Sequence, residues 1–129
     1  LRAEPDTYKV TVFDLMHAFG QVLVRLPKEE RKHHVDAERV SVTGRMYEIL
    51  DHLKTIEHVE FNELFADQKA KIDVVVTFLA ILEMTRMKLA RVFQGEIFGS
   101  IRLQRRVELT QEVMQRVQID TGEAEANYQ

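Results

Sequence analysis

The fold is decided by the stretch Lys71–Gln104, whose sequence is KIDVVVTFLAILEMTRMKLARVFQGEIFGSIRLQ. Its first half predicts the longest helix of the chain, from about Lys71 to Lys88, because the run is long and rich in apolar residues. Two short segments rich in apolar residues then flank a glycine-containing turn at 95–99: Ala90–Gln94 and Ser100–Gln104. This arrangement predicts a β-hairpin.

Three shorter elements precede this stretch. Ser41 predicts the N-cap of a helix with one apolar face. That face carries Val42, Met46, Ile49, Leu50, Leu53 and Ile56. Alternation from His58 to Phe61 predicts a short strand, and Asn62 predicts the start of a single helical turn. The order of elements is that of a winged helix-turn-helix domain, so we expect a mainly α fold with a small β-hairpin, the winged helix spanning residues 40–106.

An amphipathic helix is predicted near the N-terminus. Its apolar residues are Val12, Leu15, Met16, Phe19, Val22, Leu23 and Leu26. Thr11 is a plausible N-cap for this helix and Pro27 ends it. A polar linker follows, so we expect a helical arm and linker at 1–39, the winged helix at 40–106, and a C-terminal extension at 107–129.

The composition excludes several classes of protein. The chain has 129 residues, a net charge of −3 and no cysteine, so disulfides, thiolate metal sites and a cysteine nucleophile are excluded. Neither serine lies in a G-x-S-x-G motif. No apolar run suggests a signal peptide or a membrane span, so we expect a soluble intracellular protein, and the first residue, Leu1, suggests a fragment of a longer chain.

The histidines do not form a convincing catalytic or metal site. His33, His34 and Asp36 lie in the polar linker, and the H-E-x-x-H motif is absent. We therefore predict no catalytic residue, no metal and no cofactor. A small metal-dependent enzyme built on His33 and His34 remains the less favoured alternative.

A winged helix first suggests DNA binding, which requires Lys and Arg on the third helix and the wing. Residues 41–101 contain seven Lys or Arg against nine Asp or Glu, and the wing sequence QGEIFGS has no basic residue. This charge distribution disfavours DNA recognition. A winged-helix DNA-binding transcriptional regulator remains the alternative function.

Apolar helix faces are the remaining candidates for function. Ten of the fourteen residues in Val74–Met87 are apolar, more than one side of a small core needs. We expect one face to point into the domain, carrying Val75, Leu79 and Leu82. A second face would carry Val74, Phe78 and Ile81, and either the chain itself or a partner covers it.

The N-terminal helix raises the same question, because the polar linker separates its apolar stripe from the predicted domain. The stripe either folds back onto that domain or lies in a groove of another protein. We favour the second interpretation, since the stripe is rich in Phe and Met.

Several ordered motifs resemble one family. They are Val75-Val76-Thr77-Phe78-Leu79-Ala80-Ile81-Leu82-Glu83, then Gln94 and Phe98-Gly99-x-Ile101, and upstream Phe61-x-x-Leu64-Phe65 and Asp14-Leu15-x-x-Ala18-Phe19. These motifs resemble the segregation and condensation protein A (ScpA) family, the bacterial kleisin subunits of SMC condensin. Ile97 and Ser100 depart from the family's wing, which has Pro and Asp there.

The resemblance implies a non-catalytic kleisin subunit that acts in chromosome condensation and segregation, in the cytoplasm and on the nucleoid. Its partners would be the SMC ATPase head and the ScpB dimer, with DNA contacted only indirectly. We assign head binding to Val74, Phe78, Ile81, Phe93, Ile97 and Phe98. We assign ScpB binding to Leu15, Met16, Phe19, Val22 and Leu23.

Overall fold

A computed structural model describes residues 9–27, 41–95, 99–106 and 111–117. Within these ranges the protein is mainly helical, with one small antiparallel sheet. The helices are α1 (Val12–Val24), α2 (Val42–His52), α3 (Lys71–Arg86) and α4 (111–117), and a 3-10 helix spans Phe61–Phe65. The strands are β1 (His58–Glu60), β2 (Ala90–Gln94) and β3 (Ile101–Arg105).

Side-chain caps fix the starts of the first two helices, as the sequence predicted. The Thr11 hydroxyl accepts a hydrogen bond from the Asp14 amide at 3.2 Å, and the Asp14 carboxylate accepts one from the Thr11 amide at 2.8 Å. The Ser41 hydroxyl accepts from the Gly44 amide at 2.9 Å. Each cap satisfies an amide that the first turn of a helix leaves without a backbone acceptor.

The sheet has the strand order β1-β3-β2, with both pairs antiparallel. Leu103 of β3 lies between Val59 and Val92, and both Val59 and Leu103 are buried beneath the helices. The predicted hairpin between β2 and β3 is therefore confirmed. Lys88 adopts a positive φ of 64° where the chain turns from α3 into β2.

The core surrounds α3. Five of its side chains are completely buried: Val74, Thr77, Ala80, Ile81 and Met84. Helix α2 covers one side of α3 with buried residues that include Met46 and Leu50, while α1 and β2 pack on other parts of its surface. An apolar helix of this kind is stable in water only when several neighbours cover it.

The predicted orientation of α3 is wrong. Val74 and Ile81 were expected on an outward face, but both are fully buried in the chain's own core. Leu79 was expected to point inward, but its side chain is 45% exposed. Because apolar residues occur around most of α3, the periodicity of the sequence did not indicate which side of the helix packs against α2.

Helix α1 folds back onto the domain, contrary to the interpretation we favoured. Leu15 and Val22 are buried in the same core as α2 and α3. The ring of Phe19 stacks on that of Phe78, with centroids 4.1 Å apart and planes inclined by 9°. Phe65 of the 3-10 helix lies beside Phe19, at 6.1 Å between centroids. The linker falls outside the described residues, so the division between 1–39 and 40–106 stays a prediction.

Helix α4 belongs to the predicted C-terminal extension and also packs on the core. Val117 is fully buried, and the Tyr47 hydroxyl of α2 donates a hydrogen bond to the Met114 carbonyl at 3.0 Å. This part of the extension therefore adds to the covering of the helices.

A buried polar network joins α2 to α3. The Arg45 side chain donates through Nη1 to the Thr77 hydroxyl at 3.0 Å, and its Nη2 lies 3.7 Å from an Asp73 carboxylate oxygen. The Thr77 hydroxyl also has Gln68 Oε1 at 2.9 Å as an acceptor. A guanidinium buried to this extent needs such partners, and losing one is more destabilising than losing an exposed contact.

The contact between α1 and α3 can be tested with a double-mutant cycle. We expect Phe19→Ala and Phe78→Ala each to lower the free energy of unfolding by roughly 2–3 kcal/mol, because each ring is partly buried in the core. The two changes should also show a coupling of about 0.5–1.5 kcal/mol, since the rings stack on one another. Chemical denaturation followed by circular dichroism measures both quantities.

Phe13→Ala is the matched control, because that ring is 79% exposed on the same helix. It should change stability by less than about 0.5 kcal/mol. Strictly additive effects of Phe19→Ala and Phe78→Ala would contradict the packing of α1 on α3.

Candidate protein-binding surfaces

The outward side of α1 carries large apolar side chains that the described residues leave uncovered. Val12 is 63% exposed, Phe13 79%, Met16 56% and Val24 83%. These residues lie on the outward half of the apolar side of α1, whereas the inward half, which carries Leu15 and Val22, is buried. We call the exposed set Val12, Phe13, Met16 and Val24 the outer face of α1. An apolar cluster of this size on one helix is typical of a protein-binding surface.

A shallow groove runs beside this face. Its apolar walls are Met16 and Val24, and Gly20 lies midway between them on α1. Asn62 of the 3-10 helix forms part of the opposite side and accepts a hydrogen bond from Arg25 Nη2 at 3.1 Å. The groove therefore joins the outer face of α1 to the 3-10 helix.

The five residues predicted to bind ScpB do not lie on one surface. Leu15 and Val22 are buried, while Phe19 and Leu23 are half-buried against the core. Of the predicted set, Met16 is the one that is exposed on the outer face of α1. The neighbouring Phe13 and Val24 were missed, because the helical stripe was treated as a single face, although the chain covers only half of it.

Helix α3 presents a second apolar surface. Ile72 is 50% exposed and Leu79 45% exposed, and half-buried Val75 and Val76 lie between them on the same side of the helix. We call these four residues the α3 strip. They follow the i, i+3, i+4, i+7 spacing that brings side chains to one helix face. The strip was missed because the sequence placed Leu79 in the core.

The remaining residues predicted to bind the SMC head have different positions. Phe78 is half-buried beneath α1, and Phe93 is half-buried on β2. Ile97 and Phe98 lie outside the described residues. Of the predicted head-binding residues, Phe93 therefore remains a candidate that a partner can reach, whereas Val74 and Ile81 are enclosed in the core.

The outward side of the sheet is polar around Phe93. The Arg91 guanidinium lies 4.8 Å from the centre of the Phe93 ring, and the His58 ring meets the same ring edge-on at 6.1 Å. On the neighbouring strands, Arg102 lies 3.6 Å from the Glu60 carboxylate. Positive and negative side chains alternate here, so this side of the sheet does not form a continuous basic surface.

The described residues offer no metal centre: no three of their His, Asp or Glu side chains lie together in an arrangement suited to an ion. The predicted alternative at His33 and His34 lies outside the described residues. Among the helices that the structure describes, none has the length and apolar character needed to cross a membrane.

The comparisons with known proteins agree with the resemblance seen in the motifs. The family model described as Segregation and condensation protein ScpA matches residues 2–106. The chain is 37% identical over 102 residues to segregation and condensation protein A of Myxococcus xanthus (strain DK1622), which covers 78% of this chain and 35% of the relative. The protein of that name from Brevibacillus brevis is 30% identical over 102 residues, covering 78% of this chain and 40% of the relative.

A third relative, segregation and condensation protein A of Listeria monocytogenes serotype 4b (strain CLIP80459), is 34% identical over 98 residues, covering 74% of this chain and 39% of the relative. The chain thus spans about two-fifths of the length of these curated relatives. No solved structure matches it.

The charge distribution on α3 leads to a prediction about DNA. Lys71 is exposed at the start of α3, where Asp73 lies in the same turn, and Arg86 at its end is paired with Glu83, its Nε lying 3.0 Å from Oε2. We expect no saturable binding of duplex DNA below about 100 µM at 50 mM salt, because non-specific binding depends on cations placed against phosphates. Fluorescence anisotropy with a labelled duplex measures this. Micromolar binding that weakens steeply with salt would favour a winged-helix DNA-binding regulator.

Proposed function

This chain belongs to the segregation and condensation protein A family, and we propose that it is part of a non-catalytic kleisin subunit of a bacterial SMC complex. In this proposal it acts in chromosome condensation and segregation, in the cytoplasm and on the nucleoid, and contacts DNA only through the complex. The observation that carries the proposal is the family match over residues 2–106, taken with two exposed apolar helix surfaces.

Residues 40–106 form, in this proposal, a winged-helix domain. The order α2, β1, 3-10 helix, α3, β2 and β3 and the sheet order β1-β3-β2 support it. In a DNA-binding winged helix, the exposed side of the third helix enters the major groove. Here the equivalent side is the apolar α3 strip, which is suited to a protein surface instead.

We assign the α3 strip, together with Phe93 of β2, to docking on the SMC ATPase head. Val74 and Ile81 are left out of this surface, since they are buried in the core. Ile72 and Leu79 each retain about half of their surface for a partner to cover. Completing the burial of one such side chain contributes about 1 kcal/mol, half of the range for full burial.

We assign the outer face of α1 to the ScpB dimer. The inner side of the helix is packed on α3, so Val12, Phe13, Met16 and Val24 are the side chains free to enter a partner's groove. An amphipathic helix that lays an apolar face into a hydrophobic groove is a recurrent mode of protein recognition.

The ScpB assignment is tested by placing charge on the outer face of α1. We expect the double variant Phe13→Glu and Met16→Glu to lose co-purification with ScpB, because a carboxylate cannot be buried unpaired in an apolar interface. Binding of the SMC head, measured in parallel, should stay intact.

Gln111→Glu combined with Gln115→Glu is the matched control, because it adds the same two negative charges on the exposed surface of α4. Circular dichroism should show that the double variant is folded. Full retention of ScpB by the folded double variant would contradict the assignment.

The head assignment is tested on the α3 strip. We expect Ile72→Arg combined with Leu79→Arg to weaken binding to the cognate SMC head at least thirtyfold, since anchors of this kind are each typically worth 1 kcal/mol or more. Phe93→Arg should act in the same direction. Isothermal titration calorimetry with the isolated head measures the dissociation constant.

Gln111→Arg should leave head binding unchanged, and ScpB should still co-purify with the α3 variant. If head binding were unaffected by both Leu79→Arg and Phe93→Arg, the head would have to dock elsewhere on the chain.

A further inference from the structure

Gly20 stands in the interior of α1, where glycine is one of the poorest helix-forming residues. Its φ is not positive, so the backbone conformation does not require glycine. A Cβ atom added at Gly20 would meet no heavy atom within 4 Å. Neither the conformation of the helix nor the packing of the described residues therefore explains why this position has no side chain.

The groove beside the outer face of α1 offers a reason. Met16 and Val24 lie one helical turn to either side of Gly20, and His17 and Gln21 of the same helix also line the groove. Because Gly20 has no side chain, the backbone of α1 is accessible between Met16 and Val24. Met16 and Val24 are eight positions apart, and a rise of 1.5 Å per residue spaces their Cα atoms by about 12 Å along the helix axis. This spacing lets one ridge of side chains from a crossing helix lie over Gly20, as when the ridges of one helix pack into the grooves of another.

A positive charge lies at the end of this groove. Arg25 donates hydrogen bonds to the Gln21 carbonyl at 3.4 Å and to the Asn62 side chain at 3.1 Å. Within the described part of the chain, no carboxylate lies within ion-pair distance of Arg25. A helix seated in the groove would complement this charge by carrying Asp or Glu opposite Arg25.

We propose that Gly20 is the point where a helix of the ScpB partner crosses α1, packing directly on its backbone between Met16 and Val24. The same helix presents a carboxylate to Arg25. This inference rests on the proposed binding of ScpB to the outer face of α1. It specifies that the binding element of ScpB is a helix and that Gly20 determines how closely this helix approaches α1. A missing side chain lets two helix backbones come closer than the usual 8–10 Å between axes.

The proposal predicts opposite effects of one substitution on stability and on binding. In the full chain alone, Gly20→Ala should raise the midpoint of thermal unfolding by about 3 °C, because alanine favours the helix and its Cβ meets nothing. The same change should weaken binding of ScpB at least tenfold, and Gly20→Leu should weaken it at least a hundredfold. Calorimetry of the chain and titration with purified ScpB measure the two quantities.

Gly95→Ala is the matched control, since it makes the same chemical change at the end of β2 and also meets no atom within 4 Å. Gly95 does not line the groove, so ScpB affinity should not change. Arg25→Gln should weaken ScpB binding by a factor that shrinks as salt rises, because screening removes the attraction to a partner carboxylate.

Three results would overturn the inference. If Gly20→Ala lowers the unfolding midpoint, the chain's own fold requires the glycine. If Gly20→Ala binds ScpB as tightly as the parent while Phe13→Glu with Met16→Glu does not bind, the proposed function stands but the crossing point is wrong. If the chain self-associates in light scattering without ScpB and Gly20→Ala abolishes this, the helix in the groove belongs to a second copy.

A fourth result would remove the proposed function as well. If neither the Gly20 variants nor the double charge variant changes ScpB affinity, ScpB does not bind this side of α1.

Discussion

The burial of α3 is the constraint on which the rest of the protein depends. Apolar residues occur around most of this helix, so no single neighbour can remove enough of its surface from water. Helices α1 and α2 and strand β2 each cover one part of it. The strip from Ile72 to Leu79 is the part that the described residues leave accessible. The same property that makes α3 the centre of the core therefore also provides a surface for a partner.

Helix α1 is divided in a similar way. Its inner half is held by the stack of Phe19 on Phe78 and by the burial of Leu15 and Val22. Its outer half, with Phe13 and Met16, is held in a defined orientation by those contacts. The conformational entropy of ordering α1 is lost when the chain folds, not when a partner binds, and such preorganisation favours affinity.

Local signals predicted the elements well, whereas the directions in which they pack depended on contacts that a sequence does not display. Thr11 and Ser41 capped the helices as expected, because a cap depends on residues only three positions apart. The burial of Val74 and Ile81 depended on the approach of α2, and a uniformly apolar helix carries no periodic signal for that direction. The pairing of Arg45 with Thr77 joins residues 32 positions apart, so no local pattern could have revealed it.

Contact between α1 and α3 also determines how two partners could be arranged. If α1 were an arm on a polar linker, the distance between an α1 partner and an α3 partner would vary with the length and extension of that linker. The Phe19–Phe78 stack instead fixes the outer face of α1 relative to the α3 strip through side chains packed in one core. Close-packed cores resist small deformations, so this packing holds the two surfaces in a fixed position relative to one another. The packing of α1 on the core therefore sets the geometry in which the two partners would meet.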